Sequence, residues 1–197
     1  MSKIEHAMAE MPDKPNYDLK KTVVLVGLMG AGKTAVGRAL ALALGVPFLD
    51  SDNEIEVAAN MSVPEIFARD GEPFFRDRET QVISRLLDSQ KCVLSTGGGA
   101  FMSPLNQQNI HNKGVSVWLN GDIDLLWSRV KHRDTRPLLR TSNPLQTLTD
   151  LYHARVPQYQ KADLHVNCAP SVSIEMMAER VVQKLLTRPD VLEPRHD

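Results

Sequence analysis

Gly27-Leu28-Met29-Gly30-Ala31-Gly32-Lys33-Thr34 fits the pattern G-x-x-x-x-G-K-[ST] at every fixed position. The flanks matter as much as the match. Before it runs Thr22-Val23-Val24-Leu25-Val26, β-branched and apolar enough to be a buried strand. After it runs Ala35-Val36-Gly37-Arg38-Ala39-Leu40-Ala41-Leu42-Ala43-Leu44, free of proline and rich in helix formers. Strand, glycine loop and helix together make a phosphate cradle. The glycines let consecutive N–H groups curl around an anion, and the helix N-terminus adds partial positive charge. Lys33 is placed to reach the β- and γ-phosphates, and the Thr34 hydroxyl to ligate Mg²⁺. This arrangement implies binding of a nucleoside triphosphate.

The 197 residues suffice for one domain with a core that needs no staples. The net charge of −1, with signs mixed along the chain, gives no reason to expect nucleic acid as a partner. Cys92 and Cys168 lie in or beside apolar runs and suggest small buried residues in a reducing compartment. The first twenty residues are polar, carry Pro12 and Pro15, and lack an apolar signal core, so residues 1–20 are expected to be a flexible tail. No apolar window is long enough to span a membrane. A cytoplasmic setting follows. No exposed apolar seam demands a second copy, and a monomer is expected.

Five apolar runs read as strands: 23–26, 46–49, 92–94, 115–119 and 164–166. Helical patterns separate them. Ser62-Val63-Pro64-Glu65 is a capping box for a helix that Gly71 can close. In Phe74 to Leu87, the apolar residues Phe75, Val82, Ile83 and Leu86 share one face. Ser103-Pro104 opens a further helix with Gly114 beyond its end, and Asp122 caps Ile123 to Val130. Ile174, Met177, Val181, Val182 and Leu185 form an amphipathic stripe near the C-terminus. Strands too apolar for one wet face, alternating with helices, predict an α/β fold: a five-stranded parallel sheet flanked by helices in three layers. The expected domain spans residues 21–187, with a tail over 188–197. Ligands of such sheets sit at the carboxyl ends of the strands.

Asp50-Ser51-Asp52 follows the second strand. In extended chain its two carboxylates point the same way, so one could anchor the Mg²⁺ water shell and the other accept a proton from an attacking hydroxyl. Capping of a helix from Glu54 accounts for the pair equally well. Thr96-Gly97-Gly98-Gly99 follows the third strand, where three glycines allow close backbone approach to a ligand. Arg76 has Glu79 three residues on, positioned to hold its guanidinium. Arg155 follows a helical pattern and precedes Pro157; alone, either arginine could simply face solvent. Residues 129–137, Arg-Val-Lys-His-Arg-Asp-Thr-Arg-Pro, are basic and poor in core residues. They suggest a lid over about 131–143 whose Arg136 could reach a transferred phosphoryl group, or a solvated basic loop.

Taken together these segments resemble the shikimate kinases. The resemblance runs from about residue 22 to 186 and rests on Gly-Leu-Met-Gly-Ala-Gly-Lys-Thr at 27–34, Asp-Ser-Asp at 50–52 and Phe-Arg-Asp-Arg-Glu at 75–79. It continues with Thr-Gly-Gly-Gly at 96–99, Arg-Pro-Leu-Leu at 136–139 and Ala-Arg-Val-Pro-Gln-Tyr at 154–159. It implies transfer of the ATP γ-phosphoryl group to the 3-hydroxyl of shikimate, with Mg²⁺. By the same resemblance Gly30, Ala31, Gly32, Lys33, Thr34 and Ala35 bind the phosphates. Thr34 ligates the metal, and Asp50 supports it through water. Asp52 binds substrate hydroxyls and serves as base, while Arg76 and Arg155 clamp the carboxylate. Gly98 and Gly99 contact the substrate, Arg136 is the lid arginine, and Arg129 and Pro170 flank adenine. Lys33, Asp52 and Arg136 would carry the chemistry. Ala35 stands where many relatives have a second hydroxyl residue, and Asn167-Cys168-Ala169-Pro170 lacks an arginine that some carry there.

Other classes leave different marks. A gluconate-type kinase would also bind a carboxylate, and the Asp50/Asp52 pair, the triple glycine and the two arginines favour shikimate over it. A guanine-nucleotide switch needs Asn-Lys-x-Asp, whereas Asn112-Lys113-Gly114-Val115 ends in valine. A regulator that binds ATP without turnover would not need Asp52, Arg76 and Arg155 all facing the phosphate site.

Overall fold

The computed structural model describes residues 16–132 and 137–195. A five-stranded parallel sheet forms the centre, in the order β3–β4–β2–β5–β6. Its strands are β2 (Thr22–Val26), β3 (Phe48–Asp50), β4 (Val93–Ser95), β5 (Gly114–Asn120) and β6 (Leu164–Asn167). The second strand begins two residues later than the apolar run suggests. Pro47 offers no N–H to a ladder, and its carbonyl instead accepts from Val93 N at 3.0 Å. All five residues of β2 are buried, as a central strand covered on both faces requires. Burying each such Val or Leu is worth about 1.5–3 kcal/mol against exposure.

The helices are α1 (Lys33–Leu44), α2 (Ser51–Ala59), α3 (Val63–Asp70), α4 (Glu72–Asp88), α5 (Pro104–Lys113), α6 (Ile123–Val130), α7 (Pro144–Tyr159) and α8 (Ile174–Leu185). Single turns of 3₁₀-helix cover Ala100–Met102 and Pro137–Leu139. Helix α1 packs on α8 and over β4, while α4 packs on α5, which lies against β5. The expected helix starts are present. Ser62 and Glu65 form the capping box of α3, Ser103 caps α5 through Asn106 N, and Asp122 caps α6 through Leu125 N. Helix α7 carries Pro157 within its last turn and continues to Tyr159, placing Arg155 in a helix.

Two expectations are corrected. The first concerns the chain ends. Residues Tyr17–Leu19 (β1) pair antiparallel with Leu192–Pro194 (β7), so the ordered structure extends past both expected domain limits, 21 and 187. Apolar burial drives this, since Leu19, Val191 and Leu192 all lie in the core. The second concerns Asp50 and Asp52, which do not share an extended segment. Asp50 is extended, but Asp52 already belongs to α2. Helix formation from Ser51 is favoured by the Asp50 carboxylate, whose Oδ1 accepts from Asp52 N at 3.0 Å and Asn53 N at 3.2 Å.

The chain leaves β2 toward β3 on one side and, after β4, crosses to β5 on the other. The carboxyl ends of β2 and β4 therefore open a crevice between diverging connections, the place where open α/β sheets bind ligands.

Candidate active site

A single cleft of about 1190 Å³ occupies that crevice. Residues 29–36 line one end, and Asp52, Arg76, Glu79, Gly97–Gly99 and Arg155 line the other.

At the phosphate end the loop is shaped by left-handed glycines, Gly30 at φ 83° and Gly32 at φ 91°. A side chain at either would be strained. Gly32 is the N-cap of α1, which has no side-chain cap and no acid in its first turn. By contrast α2, α3, α4, α6 and α8 each open with an acid. The positive dipole end of α1 thus meets no acid from its own first turn, as an anion-binding helix start requires. Lys33 Nζ lies on the loop, donating to Gly27 O at 2.7 Å and Leu28 O at 3.2 Å. Arg129 reaches across from α6 and donates to Gly30 O at 3.0 Å and Ala31 O at 3.4 Å. In this structure its guanidinium steadies the phosphate loop.

At the acceptor end the three glycines of residues 97–99 avoid the left-handed region, unlike those of the phosphate loop. They provide space. A Cβ on Gly97 would stand 2.9 Å from Asp52 Oδ1, one on Gly98 would stand 2.7 Å from Arg155 Nη1, and one on Gly99 would stand 2.7 Å from Arg76 Cζ. Each glycine thus admits one polar side chain to the cleft wall. Glu79 is buried beneath them and holds Arg76 through Oε1 at 2.9 Å and Oε2 at 3.2 Å, with Glu72 adding a contact at 3.4 Å. The Arg76 side chain stays 34% exposed, so one face of its fork remains open to the cleft.

Burial lifts the Asp52 carboxyl above its ordinary range, Asp50 adds to the lift, and Lys33 and Arg76 oppose it. A raised carboxyl suits a base working near neutral pH. Asp52 Oδ1 is buried without a hydrogen-bond partner, so a lone-pair acceptor stands unused at the cleft wall. Burial likewise lifts Glu79 above the usual carboxylate range, against the pull of Arg76. Burial alone would lower Arg76, but Glu79 and Glu72 reverse this and hold it firmly charged.

Gly30, Ala31, Gly32, Lys33, Thr34, Ala35, Asp50, Asp52, Arg76, Gly98, Gly99, Arg129 and Arg155 therefore meet at one cleft. Pro170 is exposed in the turn after β6 and is not among the lining residues; Val172, Ile174 and Met177 line the wall instead. Arg136 and residues 133–135 of the basic segment lie outside the described residues, while Leu138 just beyond lines the cleft. Sequence reasoning assigned no role to Tyr159, whose hydroxyl donates to Gly98 O at 2.5 Å. The signal was available: Tyr159 is four residues after Arg155 and so shares its helix face.

A parallel sheet with an uncapped glycine loop after its central strand, joined to a pocket lined by Asp52, Arg76 and Arg155, defines a P-loop kinase for a small molecule. Comparisons with known proteins carry this further. The family model described as shikimate kinase matches residues 29–186. The shikimate kinase of Ruegeria pomeroyi is 64% identical over 98% of this chain and 99% of its own. That of Cereibacter sphaeroides is 63% identical over 89% of this chain and 87% of its own. The solved structure of Acinetobacter baumannii shikimate kinase in complex with shikimate has a TM-score of 0.80 at 39% identity, covering 86% of this chain and 94% of that one. The chain belongs to the shikimate kinase family, and it is an ATP-dependent small-molecule kinase.

Proposed function

We propose that this chain transfers the γ-phosphoryl group of ATP to the 3-hydroxyl of shikimate, with Asp52 as base and Arg76 and Arg155 as the carboxylate clamp. The convergence of these three side chains on one glycine wall is the observation that carries the reading. Two guanidiniums on one wall suit a planar carboxylate, which each fork can meet with parallel N–H donors. Between them and the phosphate loop stands Asp52, with an unengaged oxygen for the proton of an attacking hydroxyl. The N–H groups at the start of α1 and the Lys33 ammonium face the triphosphate, where charge grows during transfer. In this reading Arg136 adds a further positive charge from the lid. Arg129 borders the adenine site, which Val172 and Ile174 wall on the apolar side.

The residues present fit Mg²⁺. Among the described residues no cluster of three or more His, Cys, Asp or Glu forms an all-protein metal cage. Mg²⁺ in kinases instead takes few protein ligands beside phosphate and water. Thr34, the first-turn hydroxyl of α1, would ligate it, and Asp50 would hold its water shell with the oxygen not used in capping. When bound, the ion neutralises charge on the β- and γ-phosphate oxygens.

The same reading takes the protein as a cytoplasmic monomer that works without nucleic acid or membrane. Its near-zero net charge supports this, and among the described residues no helix is long and apolar enough to cross a membrane. An ADP-release assay with ATP and Mg²⁺, run with shikimate or gluconate and read out by product mass, tests the central proposal. Shikimate-dependent ADP release with a monophosphorylated product supports it. Turnover of gluconate alone, or of neither, overturns it.

A further inference from the structure

We propose that Tyr159 is a positioning residue that locks the glycine turn of the acceptor site in one of two forms, presenting the Gly99 N–H to a hydroxyl of the substrate. This rests on the proposed shikimate site. Ala100 N donates to Gly97 O at 3.1 Å, so residues 97–100 form a four-residue turn. Gly99 has φ −93° and ψ −11°, the values of the third residue of a type I turn. A type II turn has the same ends and differs by rotation of the central peptide, here Gly98–Gly99. It asks for positive φ at the third residue, which glycine supplies at no steric cost. The glycines that admit Asp52, Arg155 and Arg76 thus also leave the turn free to flip.

Flipping changes what the cleft meets. In a trans peptide the carbonyl and the following N–H point in opposite directions. The Tyr159 hydroxyl holds Gly98 O from behind the turn, at 2.5 Å. Its ring is buried and stacked on Trp118 with centroids 6.0 Å apart, so the hydroxyl cannot follow a flipped carbonyl. The Gly99 N–H therefore faces away from Tyr159, and among the described residues it has no acceptor. The next carbonyls are held in the same way: Asn106 Nδ2 donates to Ala100 O at 2.9 Å and Gln107 Nε2 to Phe101 O at 2.7 Å. Burial pushes the Tyr159 hydroxyl up to about 12, so it remains a donor at any working pH. In the flipped form a carbonyl would replace the donor, and a substrate hydroxyl would lose the hydrogen bond it accepts there and be left only to donate.

The test compares wild type with Tyr159→Phe, which keeps the ring and removes the donor. Wild type is first assayed with shikimate; absence of turnover there refutes the substrate reading and not the lock. With turnover established, Tyr159→Phe should raise the shikimate KM about tenfold, as loss of one neutral hydrogen bond implies, and leave the ATP KM within about twofold. Monodeoxy analogues of shikimate, measured as competitive inhibitors, supply the decisive readout. Wild type should bind one of them about tenfold more weakly than shikimate, and Tyr159→Phe should lose that discrimination. Equal discrimination in both proteins overturns the proposal. Gln107→Ala serves as the control for looser packing: it should lower the melting temperature without moving the ratio of shikimate KM to ATP KM. Wild-type protein alone gives a second measurement, independent of how the variant folds. The Gly99 amide resonance should shift on saturation with shikimate and hold still with the discriminated analogue. An amide unmoved by shikimate overturns the proposal.

Discussion

The two ends of the cleft are built by different means. The phosphate end is contiguous: eight residues, mostly backbone, shaped by left-handed glycines and an uncapped helix start. The acceptor end is assembled from α2, α4, the turn after β4 and α7, and it works through side chains. Its glycines serve by their small size, because Asp52, Arg155 and Arg76 fill the volume where a Cβ would go. Backbone donors suit a phosphate chain that every nucleotide shares. Charged side chains braced by a buried carboxylate suit a substrate whose shape must be selected. The comparison predicts that damage to one end leaves the other's binding constant largely intact.

The severest break is expected from Lys33→Ala, which removes a cation from the developing charge. The kcat should fall about 10³-fold while the shikimate Kd, measured by calorimetry, changes little. Next comes Asp52→Asn, with a kcat loss of about 10²-fold and an ATP KM near wild type. This variant also reads out the raised carboxyl. A base must be ionised, so wild-type kcat should climb with pH through a midpoint above the ordinary aspartate range, and Asp52→Asn should lose that limb. For stability the sign is opposite to that of a salt-bridged aspartate. The folded state binds the proton more tightly than the unfolded chain, so this contribution is present below the unfolded pKa and lost as pH rises through the folded one. Asp52→Asn should therefore melt about 2 °C higher than wild type at neutral pH, and the gain should vanish in acid.

Arg155→Lys keeps the charge and loses the fork. It should raise the shikimate KM about 30-fold and leave the ATP KM alone, which steady-state kinetics with each substrate varied will show. The smallest kinetic effect is expected far from both ends. Truncation after Thr187 removes Val191 and Leu192 from the core and leaves β1 unpaired. It should lower the melting temperature by about 5 °C with both KM values unchanged. A change in either KM would tie the terminal strand pair to the cleft.

What could be read in advance follows the same division. The phosphate loop, the caps at Ser62, Ser103 and Asp122, and the Arg76–Glu79 pair all act over four residues or fewer, so they stood in plain view. The Asp50/Asp52 pair was half legible. Spacing marked it as chemical, but whether the chain there is strand or helix depends on which residue caps α2. The pairing of β1 with β7 was hidden because its partners stand at opposite ends of the sequence and are short.

From the order of residues alone come the alternation of strands and helices, the nucleotide-binding loop and the class of chemistry. Each depends on period, propensity or a contiguous motif. Tertiary structure alone decided the strand order β3–β4–β2–β5–β6, the assignment of Gly97, Gly98 and Gly99 to Asp52, Arg155 and Arg76, and the contact of Tyr159 with Gly98. These depend on which distant surfaces bury one another. Burial is a property of the packed whole, and no short window of sequence carries it.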